Sequence, residues 1–83
     1  MAEVILDGLG RLTTEHAASS DGQPVLLLGG SMEATWPGDL IEVGGELQPA
    51  ALVVGRWLDA AGENVTDAER DLAEAFVGAF VVQ

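Results

Sequence analysis

Pro49-Ala50-Ala51-Leu52-Val53-Val54-Gly55-Arg56-Trp57-Leu58-Asp59-Ala60-Ala61-Gly62, followed after a short connector by Thr66-Asp67-Ala68-Glu69-Arg70-Asp71-Leu72, is the stretch on which the fold turns. Ala50, Val53, Val54, Trp57, Leu58 and Ala61 recur at spacings of 3, 4, 7, 8 and 11, which place them on one face of a helix. Pro49 suits the first helical position, where its missing N–H costs nothing, and Gly62 can terminate the helix. Thr66-Asp67-Ala68-Glu69 has the capping-box spacing, in which hydroxyl and carboxylate each accept from an otherwise orphaned amide. A second helix therefore starts at Thr66. Its apolar stripe is read as Leu72, Phe76 and Phe80 with Ala68, Ala75 and Ala79, and Asp67, Arg70, Asp71 and Glu74 lie opposite. A short connector between two such helices makes them antiparallel neighbours.

Ahead of Pro49 the chain is rich in glycine and turn signals. Glu3 to Leu6, closed by Asp7-Gly8, and Pro24 to Leu28, between Asp21-Gly22 and Gly29-Gly30, read as strands. Neither alternates polar with apolar residues, so each is expected to be buried on both faces, as central strands are. Leu12 to Ser20 is read as the first arm of a hairpin closing at Asp21-Gly22, with a single capped helical turn as the alternative. Trp36-Pro37-Gly38-Asp39, then Leu40 to Val43, then Gly44-Gly45, read as turn, strand and turn. A helix starting at Pro37 is the rival, and the paired glycines argue against it. The expected fold is thus α+β: a small antiparallel sheet from the N-terminal part packed against two C-terminal antiparallel helices.

Eighty-three residues fit a single compact acidic domain, residues 1–83, and a chain this long buries only roughly 60 to 65% of its unfolded surface. With 48% hydrophobic and 20% charged residues it is too apolar for disorder. It holds no cysteine, which removes disulfides, thiolate catalysis and most structural zinc sites. The opening Met1-Ala2-Glu3-Val4-Ile5-Leu6-Asp7 has neither the basic start nor the long apolar run of a signal peptide. No apolar run approaches the ~20 residues that span a bilayer. A cytoplasmic location is expected, with no membrane association.

Catalytic and cofactor chemistry finds no constellation. His16 is the one histidine, and Glu15, Ser19, Ser20 and Asp21 near it in sequence form no nucleophile elbow. It is read as an ordinary surface or hairpin histidine. Gly8-Leu9-Gly10 lacks the third glycine of a dinucleotide fingerprint, and Gly29-Gly30-Ser31 lacks a phosphate-loop lysine. Asp7-Gly8 and Asp21-Gly22 are turns without calcium-loop spacing. No enzyme activity, cofactor or metal is expected.

Charge is the most one-sided property. Fourteen acids face Arg11, Arg56 and Arg70, with no lysine, for a net charge of -11. Such a surface repels nucleic acid and anionic membranes, since neutralising phosphates needs clustered cations. The acids are spread along the chain, net -6 over residues 1–42 and -5 over residues 43–83. One concentration stands out: Asp59, Glu63, Asp67, Glu69, Asp71 and Glu74 with Arg70, net -5 over sixteen residues. Asp67 and Asp71, one turn apart, repel, and Arg70 is expected to relieve this through Asp67 and Glu74. Acids in a first helical turn also complement the helix dipole, which by itself accounts for Asp67 and Glu69.

The function expected from sign, size and missing chemistry is a small acidic non-catalytic interaction protein. It would bind and block a basic, nucleic-acid-binding surface of a partner protein, as nucleic-acid mimics among phage-encoded anti-defence inhibitors and antitoxins do. Gly22-Gln23-Pro24-Val25-Leu26-Leu27-Leu28 resembles the Gly-x-Pro-Val strand of small prevent-host-death antitoxins, over too short a stretch to assign a family. The partner-binding residues expected are Asp59, Glu63, Asp67, Asp71, Glu74 and Trp36, the last as a core cap or an exposed anchor beside Pro37-Gly38. Leu52 projects from the polar side of its helix. Phe80-Val81-Val82 needs a surface, its own sheet or a second copy, so a homodimer through these residues is a further expectation. The alternative function is a structural or assembly subunit, of a phage particle or a multiprotein complex, whose acidity serves solubility.

Overall fold

The computed structural model describes residues 3–14, 24–29 and 33–81. His16, the proposed closure at Asp21-Gly22, Ser31, and the Val81 and Val82 side chains lie outside what it describes. Six strands precede two helices: β1 Glu3–Leu6, β2 Gly10–Thr13, β3 Val25–Leu28, β4 Ala34–Thr35, β5 Leu40–Val43, β6 Glu46–Pro49, α1 Ala50–Ala61 and α2 Asp67–Val81. Strands β1 to β4 form an antiparallel sheet in sequential order, β5 and β6 form a separate ribbon, and the fold is α+β.

Register explains which strand residues face the core. Val4 pairs with Leu12 and Leu12 with Leu26, so these side chains share one face, and each is at most 1% exposed. Glu3, Ile5 and Arg11 occupy the other face, where Arg11 Nη1 lies 3.8 Å from Glu3 Oε2. Ile5 is 62% exposed, which corrects the expectation that β1 is buried on both faces. The physical reason is position: β1 is an edge strand, whereas β3, flanked by β2 and β4, buries Val25, Leu26 and Leu27 alike. Gly10 permits the close approach of β2 to β3, since a Cβ there would lie 2.3 Å from the Leu27 carbonyl oxygen.

The turn at Trp36 to Asp39 forms as expected and also starts the first helix. Asp39 N–H donates to the Trp36 carbonyl at 3.0 Å, while Asp39 Oδ2 accepts from the Trp36 N–H at 2.8 Å. The first two α1 amides then donate back to this turn, Ala50 to the Asp39 carbonyl at 2.8 Å and Ala51 to the Pro37 carbonyl at 2.9 Å. These backbone acceptors replace the missing side-chain cap, and Pro49 is the cap residue rather than the first helical one. Between turn and helix, Gly44 and Gly45, at φ 61° and 85°, supply the two left-handed positions of a tight hairpin and pair β5 with β6. Strand β6 and the short β4 have no counterpart in the sequence reading.

Both helices fall where their periodicity and caps place them. Gly62 ends α1, its N–H donating to the Leu58 carbonyl at 3.2 Å. The capping box starts α2: Thr66 N–H donates to Glu69 Oε1 at 2.7 Å and Glu69 N–H to Thr66 Oγ1 at 3.1 Å. The buried arc of α2 differs from the expected stripe. Ala68, Ala75 and Ala79 are exposed, and Ala73 is buried beside Leu72 and Phe76, with Val77 and Phe80 partly covered. Large side chains set the centre of the arc, because burying them removes far more apolar area than burying alanine. Phe76, fully buried, sits in one core cluster with Val4, Leu6, Leu12, Leu26 and Val54.

Candidate functional site

The packing of α1 on α2 leaves an open groove of about 560 Å³ between the two helices. Ala51, Leu52, Gly55, Arg56, Leu58 and Asp59 line it from α1, and Glu74, Val77 and Gly78 from α2. Its floor is apolar. Leu52, as expected, projects outward and is 50% exposed. The rim is charged: Asp59 and Glu74 are exposed acids, and Arg56 is an exposed cation between them and Leu52 in sequence.

The α2 side of the rim continues by helical spacing. Asp67, Asp71, Glu74 and Gly78 stand at i, i+4, i+7 and i+11, so one line of the helix carries three acids toward the α1–α2 loop and a glycine at the other end. Asp67, Asp71 and Glu74 are all exposed, and so is Glu63 in the loop. Five of the six expected partner-binding residues, Asp59, Glu63, Asp67, Asp71 and Glu74, therefore gather on the two helices and their connection. Trp36 does not join them. It is half-buried in the turn that holds the start of α1, and a helix of 12 residues is ~18 Å long, which separates it from Glu63 at the other end.

Arg70 takes a different role from the expected one. Its Nη2 donates to the Gly62 carbonyl, tying α2 to the end of α1, and no ion pair to Asp67 or Glu74 forms among the described residues. The guanidinium satisfies a carbonyl that the end of α1 leaves open. Asp67, Asp71 and Glu74 have no ion-pair partner among the described residues.

Gly55 and Gly78 are functional candidates that the sequence reading missed. A glycine inside a helix costs roughly 0.5 to 1 kcal/mol relative to alanine. Neither position has an evident internal need for it. Among the described residues, a Cβ at Gly78 would meet nothing within 4 Å, and one at Gly55 would make an ordinary contact of 3.8 Å with Val77 Cγ2. The available signal was two glycines interrupting otherwise strong helical patterns, but only the packed pair of helices puts both in one groove.

A second cleft, about 470 Å³, lies between β1 and the end of α1, lined by Glu3, Ile5, Asp7, Trp57, Val65 and Glu69 among others. Two of its three carboxylates are already engaged, Glu3 with Arg11 and Glu69 with the Thr66 amide. Leu40 and Leu47, 60% and 67% exposed, share the outer face of the β5–β6 ribbon with Glu42. Among the described residues no cluster of three or more histidine, cysteine or acidic side chains could hold a metal ion. No described helix is long and apolar enough to cross a membrane. Phe80, one of the expected dimer residues, packs against the core cluster and lies over Gly38.

Comparison with protein-family models, curated proteins and solved structures finds no match to this chain.

Proposed function

We propose that this chain is a small, acidic, non-catalytic interaction protein of the cytoplasm that binds and blocks a basic, nucleic-acid-binding surface of a partner protein. Phage-encoded anti-defence inhibitors and antitoxins are the settings in which such a molecule acts. The observation that carries the reading is the exposed acidic line Asp67, Asp71 and Glu74, with Asp59 on the same groove as Glu74, exposed Glu63 in the preceding loop, and no lysine in the chain to offset them. A field of one sign speeds encounter with a surface of the other sign and rejects like-charged ligands.

A second reading, the assembly subunit, is favoured by a different observation: the exposed Leu40 and Leu47 of the β5–β6 ribbon, where apolar contact rather than charge would hold a neighbour. One experiment separates the two. The protein is immobilised, partners are captured from a cytoplasmic lysate, and washes are made at about 0.1 M and about 1 M salt, over which the screening length falls from about 10 Å to about 3 Å. The same capture is repeated with D67K, D71K and E74K combined. The blocking reading expects partner loss in high salt and with the triple variant. It also expects the melting temperature to fall by no more than about 5 °C, since of the three substituted acids only Asp67 lies in the first helical turn. A partner retained through both treatments rules that reading out in favour of assembly.

A further inference from the structure

We infer that the α1–α2 groove seats a cationic amphipathic helix of the partner. This deepens the proposed function and rests on it. Three observations converge. The floor is apolar, with Leu52 half-exposed and Val77 part-buried beneath the opening. Gly55 and Gly78 keep that floor open at a cost to both helices, although the protein's own packing leaves room for a Cβ at each. Asp59 and Glu74 rim the floor, and Asp71 and Asp67 extend the negative side along α2. The complement is a segment with an apolar stripe flanked by lysine or arginine.

The occupant is a helix because of what the walls lack. Both walls are helices, whose backbone amides and carbonyls are bonded internally along their length, so a groove between them has no ladder to offer an extended strand. A segment desolvated there must satisfy its own backbone, and a helix does so. The missing side chains at Gly55 and Gly78 let its apolar residues descend between α1 and α2. Arg56, on the same rim, sets the direction of docking by preferring an acid beside it and cations over Asp59 and Glu74.

The probe is a fluorescein-labelled leucine–lysine peptide with leucines at i, i+3, i+4 and i+7, compared with a peptide of the same composition in an order that destroys this periodicity. Anisotropy at about 0.1 M salt is expected to give at least about tenfold tighter binding for the amphipathic peptide. Gly78→Leu, which fills open space, and Leu52→Ala, which strips the floor, are each expected to weaken it about tenfold. Retained melting temperature shows that the variants fold. Equal affinity for the two peptides, or undiminished binding by both variants, overturns the groove inference. If binding of both peptides is nonetheless salt-sensitive and lost in the D67K, D71K and E74K variant, the wider reading of an acidic binding protein survives. Absence of binding by any cationic peptide at low salt overturns both.

Discussion

Two alanine substitutions, chemically identical, should move stability in opposite directions. At Gly78 a Cβ on the helix meets none of the described residues within 4 Å, so Gly78→Ala gains helix propensity and restricts the unfolded chain without a clash among them, a stabilisation of roughly 0.5 to 1 kcal/mol. At Gly10 a Cβ would sit 2.3 Å from the Leu27 carbonyl oxygen and 3.0 Å from the Leu28 Cα, both backbone atoms of β3. Those atoms cannot rotate aside, and β3 is held by neighbours on both edges, so β2 must shift by about an ångström and Gly10→Ala costs roughly 1 to 3 kcal/mol or more. A domain of this size shifts its melting temperature by about 4 to 8 °C per kcal/mol. Gly78→Ala should therefore melt roughly 2 to 8 °C higher than the parent, and Gly10→Ala at least about 4 °C lower. Far-ultraviolet circular dichroism during heating and in urea gives both values, with unchanged urea slopes indicating an intact two-state transition. A neutral or destabilising Gly78→Ala would mean that the native helix needs the bare backbone there, and would remove the argument for a groove kept open. An unperturbed Gly10→Ala would refute the close pairing of β2 with β3.

Phe76→Ala removes the largest fully buried side chain and should cost about 3 to 5 kcal/mol, a large part of the roughly 4 to 12 kcal/mol available to a chain of this length; urea titration should find it partly unfolded without denaturant at 37 °C. Thr66→Ala leaves the Glu69 amide without its acceptor and should cost about 0.5 to 2 kcal/mol, read from the same titration.

Both helices were legible because their signals are local. The apolar spacing from Ala50 to Ala61, Gly62 at the end and the Thr66–Glu69 box each act within a few residues. Strand β6 was not legible, since Glu46-Leu47-Gln48 alternates over only three residues before Pro49, which read as a helix start, and the pairing comes through the Gly44-Gly45 turn. The exposure of Ile5 depends on β1 being at the sheet edge, a property of strand order that no residue in β1 encodes. On α2, alanines at 68, 75 and 79 fit the apolar stripe as well as Ala73 did, because a small side chain carries little weight in choosing which side faces in. The acids of the candidate site were legible as a cluster, whereas the groove beside them is a property of two helices together. The role of Arg70 was hidden for the same reason, as its acceptor is the carbonyl of Gly62, the residue that caps the preceding helix.

The hydrogen bond from Ala50 N–H to the Asp39 carbonyl, 2.8 Å long, closes residues 40–49 into a loop-like excursion whose two ends meet at one point of the body. Its tip, Gly44-Gly45, is exposed. A guest segment spliced between those glycines would lengthen the excursion without prising its base apart, since the clamp sits at the other end. That makes the tip a natural anchor for a surface tether or reporter, mounted on a part of the chain separate from the groove and its acids.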